Sequence, residues 1–208
     1  FNRPFGRANE EQKKKYDVTL DKISADFKEN WPKMNDEQKM KWKFQRYMQD
    51  YLATISSVDD NVGRVLDYLE ETGLDENTIV IYTSDQGFYL GEHGWFDKRW
   101  MYEESLKMPF LISYPKIVEP ESINSNLLLN IDFAPTIMDL CNIPESQRHQ
   151  VDGKSFASVL NGNDKEIHDH LFFEIGATRA VLKDGWKYLA FRLPSTVSPN
   201  PEKPYTHL

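Results

Sequence analysis

The chain has 208 residues, 39% hydrophobic and 13% aromatic, which suits a globular fold of one domain or one domain plus a small appendage. Its formal net charge of −8 argues against a nucleic-acid partner, which would need a basic footprint. No apolar run approaches the ~20 residues that span a bilayer, and a single cysteine, Cys141, rules out an internal disulfide.

The chain begins at Phe1 rather than Met and shows no signal peptide, as expected if processing or truncation removed one. Residues 1–35 read as polar and irregular, with a solvated helical turn from Glu10 to Lys15. Asn35-Asp36-Glu37-Gln38 is a helix start, with Asn35 or Asp36 as N-cap and acids in the first turn. The helix runs toward Gly73, a residue suited to end it. Leu52, Ile55, Val58, Val62, Val65, Leu66 and Leu69 recur at helical spacing as one apolar stripe. Asp59 and Asp60 are adjacent on this helix. One helix face presents only one of two neighbours, so they read as solvated rather than metal-binding. Trp42, Phe44, Tyr47 and Tyr51 read as core or interface.

A short turn at 74–77 leads to a strand over Thr78–Thr83, apolar enough to be buried on both faces. A second strand covers Met108–Tyr114, with Pro109 tolerated at its start. Ile131–Leu140 reads as a turn into a helix, with Pro135 at an early helical position and Asp132 as its cap. Cys141 reads as a small buried hydrophobe. Residues 171–191 switch to strand period: 171–174 and 179–182, a Lys183-Asp184-Gly185 turn, then 186–191, in a hairpin arrangement. The tail from Pro194 to Leu208 has four prolines and no period. The predicted division is a main unit over 1–165 and a small antiparallel unit over 166–208.

The stretch from Thr78 to Met101 carries the chemistry. The strand ends at Ser84-Asp85-Gln86-Gly87, which places a carboxylate and an amide at its C-terminal end. In open α/β sheets, ligands bind beyond those ends. The loop that follows gathers Glu92, His93, Asp97, Lys98 and Arg99 among Phe88, Tyr89, Trp95, Phe96 and Trp100. Ionisable groups on an aromatic-rich loop with three glycines, Gly87, Gly91 and Gly94, point to a site rather than a connection.

The string TSDQGFYLGEHGWFDKRWMYEES resembles the signature of the sulfatases, a family of the alkaline-phosphatase superfamily. The similarity runs from about Tyr51 to Leu160. It includes the D-x-x-P-T-x-x-D-L pattern at Asp132–Leu140 and a D-G-x-S turn at Asp152–Ser155. Phe1–Gly6 resembles another family stretch, with Asn2 where a His is common. The Asp97-Lys98-Arg99 triplet is similar to that of bacterial carbohydrate sulfatases acting on the 6-sulfate of N-acetylglucosamine.

The resemblance implies part of an alkaline-phosphatase-like α/β sandwich. Its helices would pack on a mainly parallel sheet, with a small C-terminal antiparallel β subdomain. It implies a sulfuric ester hydrolase of glycosaminoglycan degradation, periplasmic or secreted, whose partner is a sulfated sugar. It implies one Ca²⁺ on Asp85 and Gln86, and Lys98 on the sulfate. His93 would touch the sulfate or the leaving oxygen, or else orient the loop. Asp97 and Arg99 would read sugar hydroxyls, or else form a surface ion pair. The family's nucleophile is a formylglycine made from a C/S-x-P-x-R motif, which this sequence lacks. That motif and further metal ligands are expected in a missing N-terminal half of the same domain. The alternatives are a non-catalytic sulfatase-like domain that binds a sulfated glycan or a partner subunit, and a phosphodiesterase of the same superfamily.

Overall fold

The computed structural model describes residues 9–163 and 165–191. Asn2 with the rest of Phe1–Gly6, and the Pro194–Leu208 tail, lie outside the described residues. The chain divides into two compact units, 1–68 and 69–208. This is a different division from the boundary expected at 165.

The first unit is helical. Helix α1 spans Glu10–Asn30, where the sequence reading expected a single turn in an irregular stretch. The reason is local. The Asn9 side chain accepts the Gln12 N–H at 2.8 Å, and Gln12 Oε1 accepts the Asn9 N–H at 3.0 Å, a capping box. Tyr16, Leu20, Ile23 and Phe27 then recur at helical spacing. A turn at Trp31–Lys33 leads to helix α2, Asp36–Glu71. Asn35 caps α2 through a second reciprocal pair with Gln38, both bonds at 2.9 Å. The two helices meet through Phe27, Trp31 and Trp42, whose ring centroids lie 5.1–5.7 Å apart. The Trp42 indole N–H also donates to Asp26 at 2.7 Å. Asp59 and Asp60 are both exposed on α2.

Gly73 ends α2 as expected. Its φ of 67° belongs to the left-handed region. Its N–H bonds to the Glu70 carbonyl, and the Leu74 N–H to the Leu69 carbonyl. These are the two bonds of a Schellman motif.

Among the described residues, the second unit holds three small sheets and two short α-helices. Strand β1, Val80–Thr83, pairs with β4, Phe110–Ser113. The pair is antiparallel, so the described residues do not form the parallel part of the expected sheet. Parallel strands need a crossover element on a sheet face. The only described α-helix between β1 and β4 is α3, Glu103–Leu106, which has four residues. β1 is half-buried with Tyr82 exposed, rather than buried on both faces. Strands β2, Tyr89–Leu90, and β3, Phe96–Asp97, close a small hairpin inside the connecting loop. Strands β5, His170–Ile175, β6, Thr178–Lys183, and β7, Trp186–Phe191, form an antiparallel meander. Asp184 and Gly185 both have positive φ, 50° and 75°. That is the turn whose twist matches a tight hairpin.

The core of this unit centres on Phe156, Val159 and Ile167, with Phe110, Leu128, Phe133 and Leu160 packed around them. Asp132 holds the segments that surround it. Its carboxylate is fully buried and accepts hydrogen bonds from the Leu129 N–H, the Lys154 N–H and His168 Nε2, each at 2.8 Å. This corrects the expected role of Asp132. Its side chain makes no cap bond to α4, Phe133–Leu140. It reaches back instead to the Leu129 N–H at the start of the short turn Asn130–Asp132 that leads into α4, and ties that turn to the distant Lys154 and His168. Beside it, Thr136 Oγ1 accepts the Phe156 N–H at 3.0 Å. Cys141 is exposed rather than buried. It follows Ile137 by one helical turn, and Ile137 is itself exposed.

Near the C-terminal end of α4, Asp139 pairs with Arg148. The Ser155 hydroxyl, then Arg148, hold the Asp139 carboxyl below its ordinary value of 3.8. A depressed carboxyl stabilises the fold fully above its unfolded pKa, and loses that contribution as pH falls through the folded value. Asp139→Asn should therefore flatten the acid side of the stability profile. Thermal unfolding of both proteins from about pH 5 to about pH 2 reads this directly. Identical acid slopes would assign the acid sensitivity to other groups.

Candidate active site

The loop from β1 to β4 is pinned at several points. Gly87 donates its N–H to the Ser105 carbonyl at 2.9 Å. A Cβ on Gly87 would lie 2.2 Å from the Glu104 carbonyl oxygen and 2.8 Å from the Ser105 carbonyl carbon. Only glycine permits this approach. Gly87→Ala should cost on the order of 1–3 kcal/mol through overpacking. A shift of the denaturation midpoint at unchanged slope checks this, and an unmoved midpoint contradicts it.

Tyr89 is fully buried under the loop, and its hydroxyl donates to the Trp100 carbonyl at 2.9 Å. Burial pushes its phenol pKa up. Trp95 stacks on Trp100 at 5.2 Å and meets Tyr89 edge-on at 5.7 Å. This aromatic base carries a strained rim. His93, Asp97 and Arg99 have φ of 56°, 77° and 101°. Such residues cost about 1–3 kcal/mol each and cluster where structure serves function. Glu92 accepts the Leu90 N–H at 2.6 Å, and backbone N–H donors hold its pKa down.

The predicted residues divide into two sets. Asp85, Gln86, Lys98 and Arg99 line one open cleft of about 1170 Å³. Asp85 is exposed at the end of β1, and Gln86 is half-buried. The Ser84 hydroxyl lies 3.4 Å from Asp85 Oδ1 and donates to the Gln86 carbonyl at 2.9 Å. His93 and Asp97 are not on the cleft wall. His93 Nε2 lies 3.2 Å from Glu104 Oε1, and its ring stacks on Tyr102 at 4.8 Å. Asp97 pairs with Arg99 at 3.4 Å, and both remain partly exposed.

The cleft also takes residues that the sequence reading left aside. Glu103, Ser105 and Lys107 come from α3 and its exit, and Glu174 comes from β5. Glu103 also pairs with Lys187 of β7. The MYEES run beside the loop was a signal for the first group. Nothing in local sequence could place Glu174 there, because strand pairing and packing bring it in from far along the chain.

Asp85 and Gln86 supply two adjacent oxygen donors, the chemistry that Ca²⁺ prefers. Among the described residues, no group of three or more His, Cys, Asp or Glu gathers around a common point. Ca²⁺ takes about six to eight oxygens. The pair therefore suits part of a calcium shell and cannot complete one.

The family model for the C-terminal region of N-sulphoglucosamine sulphohydrolase matches residues 91–183. An N-acetylglucosamine-6-O-sulfatase of Bacteroides thetaiotaomicron is 51% identical over 128 residues, covering 62% of this chain and 23% of that protein. The human N-acetylglucosamine-6-sulfatase is 39% identical over 110 residues, covering 52% of this chain and 20% of that protein. A protein solved in complex with its substrate D-glucosamine-2-N,6-O-disulfate superposes with a TM-score of 0.77 at 37% identity. That match covers 89% of this chain and 39% of the solved one. The chain thus spans about a fifth to a quarter of the length of the curated relatives it matches. Sequence and fold agree in what the chain resembles: the C-terminal part of the alkaline-phosphatase-like α/β domain of sulfatases.

Proposed function

We propose that the chain is part of a sulfuric ester hydrolase acting on a sulfated carbohydrate, with a 6-sulfated glucosamine as the favoured substrate class. The observation that carries this is the meeting of Asp85, Gln86, Lys98 and Arg99 in one cleft, on a loop that matches the family signature. The names of the relatives support the sugar. In this reading Asp85 and Gln86 contribute two ligands to a bound calcium ion. When bound, that ion would neutralise charge on the sulfate oxygens. Lys98 adds a point charge on the same oxygens. Arg99, oriented by Asp97, presents a planar donor fork to sugar hydroxyls. His93, held by Glu104, serves the sulfate or leaving oxygen from the rim once substrate fills the cleft. Closing of such contacts on substrate is common, because catalytic hydrogen bonds are often long in free enzymes.

The nucleophile belongs to this reading as a formylglycine on a C/S-x-P-x-R motif, and this chain has no such motif. The 208 residues alone should therefore show no turnover, and release of sulfate from an aryl ester by the pure chain would contradict that. An exported location, periplasmic or secreted, goes with a polysaccharide substrate. Among the described residues no helix is long and apolar enough to cross a membrane.

Arg99→Ala in the full-length protein tests the substrate assignment. Loss of a charged hydrogen bond should cost the sulfated sugar roughly 1.5–3 kcal/mol in kcat/KM. A small aryl sulfate should be nearly untouched. Equal losses on both would assign Arg99 to the loop or the sulfate, and overturn the sugar-reading role.

A further inference from the structure

We infer that Ser105 is a positioning residue: it sets the orientation of Arg99, and through it the preference for a sugar sulfate over a simple ester. This rests on the sulfatase reading above. Ser105 grips the site from two sides. Its backbone carbonyl accepts the Gly87 N–H at 2.9 Å, next to Asp85 and Gln86. Its hydroxyl accepts the Arg99 N–H at 3.2 Å. One residue therefore ties the strand end that carries the metal-binding pair to the rim that carries the Asp97-Lys98-Arg99 triplet.

The arrangement needs such a tie. Arg99 holds a φ of 101° and Asp97 one of 77°, conformations that side-chain-bearing residues rarely adopt unless held. The Asp97–Arg99 ion pair at 3.4 Å orients the side chains without fixing the backbone of Arg99. The Ser105 hydroxyl reaches that backbone directly. It can do so because Gly87 has no Cβ, which lets the Glu104–Ser105 segment approach the strand end. Ser105 is half-buried and lines the same cleft.

The test compares Ser105→Ala with Ser105→Thr, which keeps the hydroxyl, in the full-length protein. Amide hydrogen exchange at Arg99, measured without substrate, should accelerate about tenfold in Ser105→Ala and return toward the parent rate in Ser105→Thr. The KM for a 6-sulfated N-acetylglucosamine should rise about tenfold in Ser105→Ala, with kcat changed far less. The KM for an aryl sulfate should rise much less, and Ser105→Thr should recover the sugar KM. Unchanged exchange at Arg99 in Ser105→Ala would overturn the positioning role whatever the kinetics. Faster exchange with equal losses on both substrates would overturn the link to specificity. A parent protein that hydrolyses no sulfate ester would sink the reading of the site instead, and the exchange result alone would then decide the positioning role.

Discussion

Lys98→Ala should lower both kcat and kcat/KM for every sulfate ester by roughly 100- to 1,000-fold in the full-length protein, the cost of removing one preorganised charge partner. Lys98 is exposed on the wall of the cleft that Asp85, Gln86 and Arg99 also line. An ammonium is a compact point charge on a flexible stem. It has no directional preference for a sugar face, but it attracts sulfate oxygens in any ester. Its interaction strengthens as charge develops on the leaving and equatorial oxygens. The loss therefore falls on the transition state more than on ground-state binding. Sugar and aryl esters should lose equally, in contrast to Arg99→Ala. The fold should survive, because exposed substitutions outside special features usually change stability by less than about 0.5 kcal/mol. A rise in KM alone, with kcat intact, would place Lys98 in substrate capture and remove it from the chemistry.

Asp85→Ala should abolish calcium binding at the site and, with it, sulfate-ester turnover. Asp85 supplies the only charged oxygen of the adjacent pair, and Gln86 the neutral one. A divalent cation that keeps a neutral amide and loses a carboxylate loses its main attraction. The Asp85 side chain is exposed and meets the Ser84 hydroxyl at 3.4 Å, a long hydrogen bond, so its removal should leave the fold intact. Calcium titration by calorimetry, alongside unfolding by circular dichroism, separates the two effects. Full activity of the metal-depleted Asp85→Ala protein would eliminate the metal assignment.

Much of the fold was legible from local pattern. Asn35 and Gln38 announce the start of α2, and Gly73 its end. The Lys183-Asp184-Gly185 turn announces the β6–β7 hairpin. The length of α1 was missed although Asn9 and Gln12 mark its cap, because the charged run that follows hides a sparse apolar stripe. Sheet direction was not readable, since pairing of β1 with β4 is a long-range choice. Asp132 shows the limit most clearly. A D-x-x-P pattern reads as a cap, and three-residue spacing does link its carboxylate to the Leu129 N–H, but no spacing rule brings Lys154 and His168 to it. In the candidate site, the strand end and the triplet were readable from residue type. The bracing by Ser105 and Glu104, and the separation of His93 from the cleft wall, follow from the path of the loop.

The account stands or falls on the cleft being a sulfate-ester site. The direct measurement is release of inorganic sulfate from 6-sulfated N-acetylglucosamine by the full-length protein with calcium, run beside Lys98→Ala. The account predicts steady release by the parent and a loss of about two orders of magnitude or more in the variant. Undiminished release by a folded Lys98→Ala protein, or no release from any sulfated sugar by the parent, would contradict it.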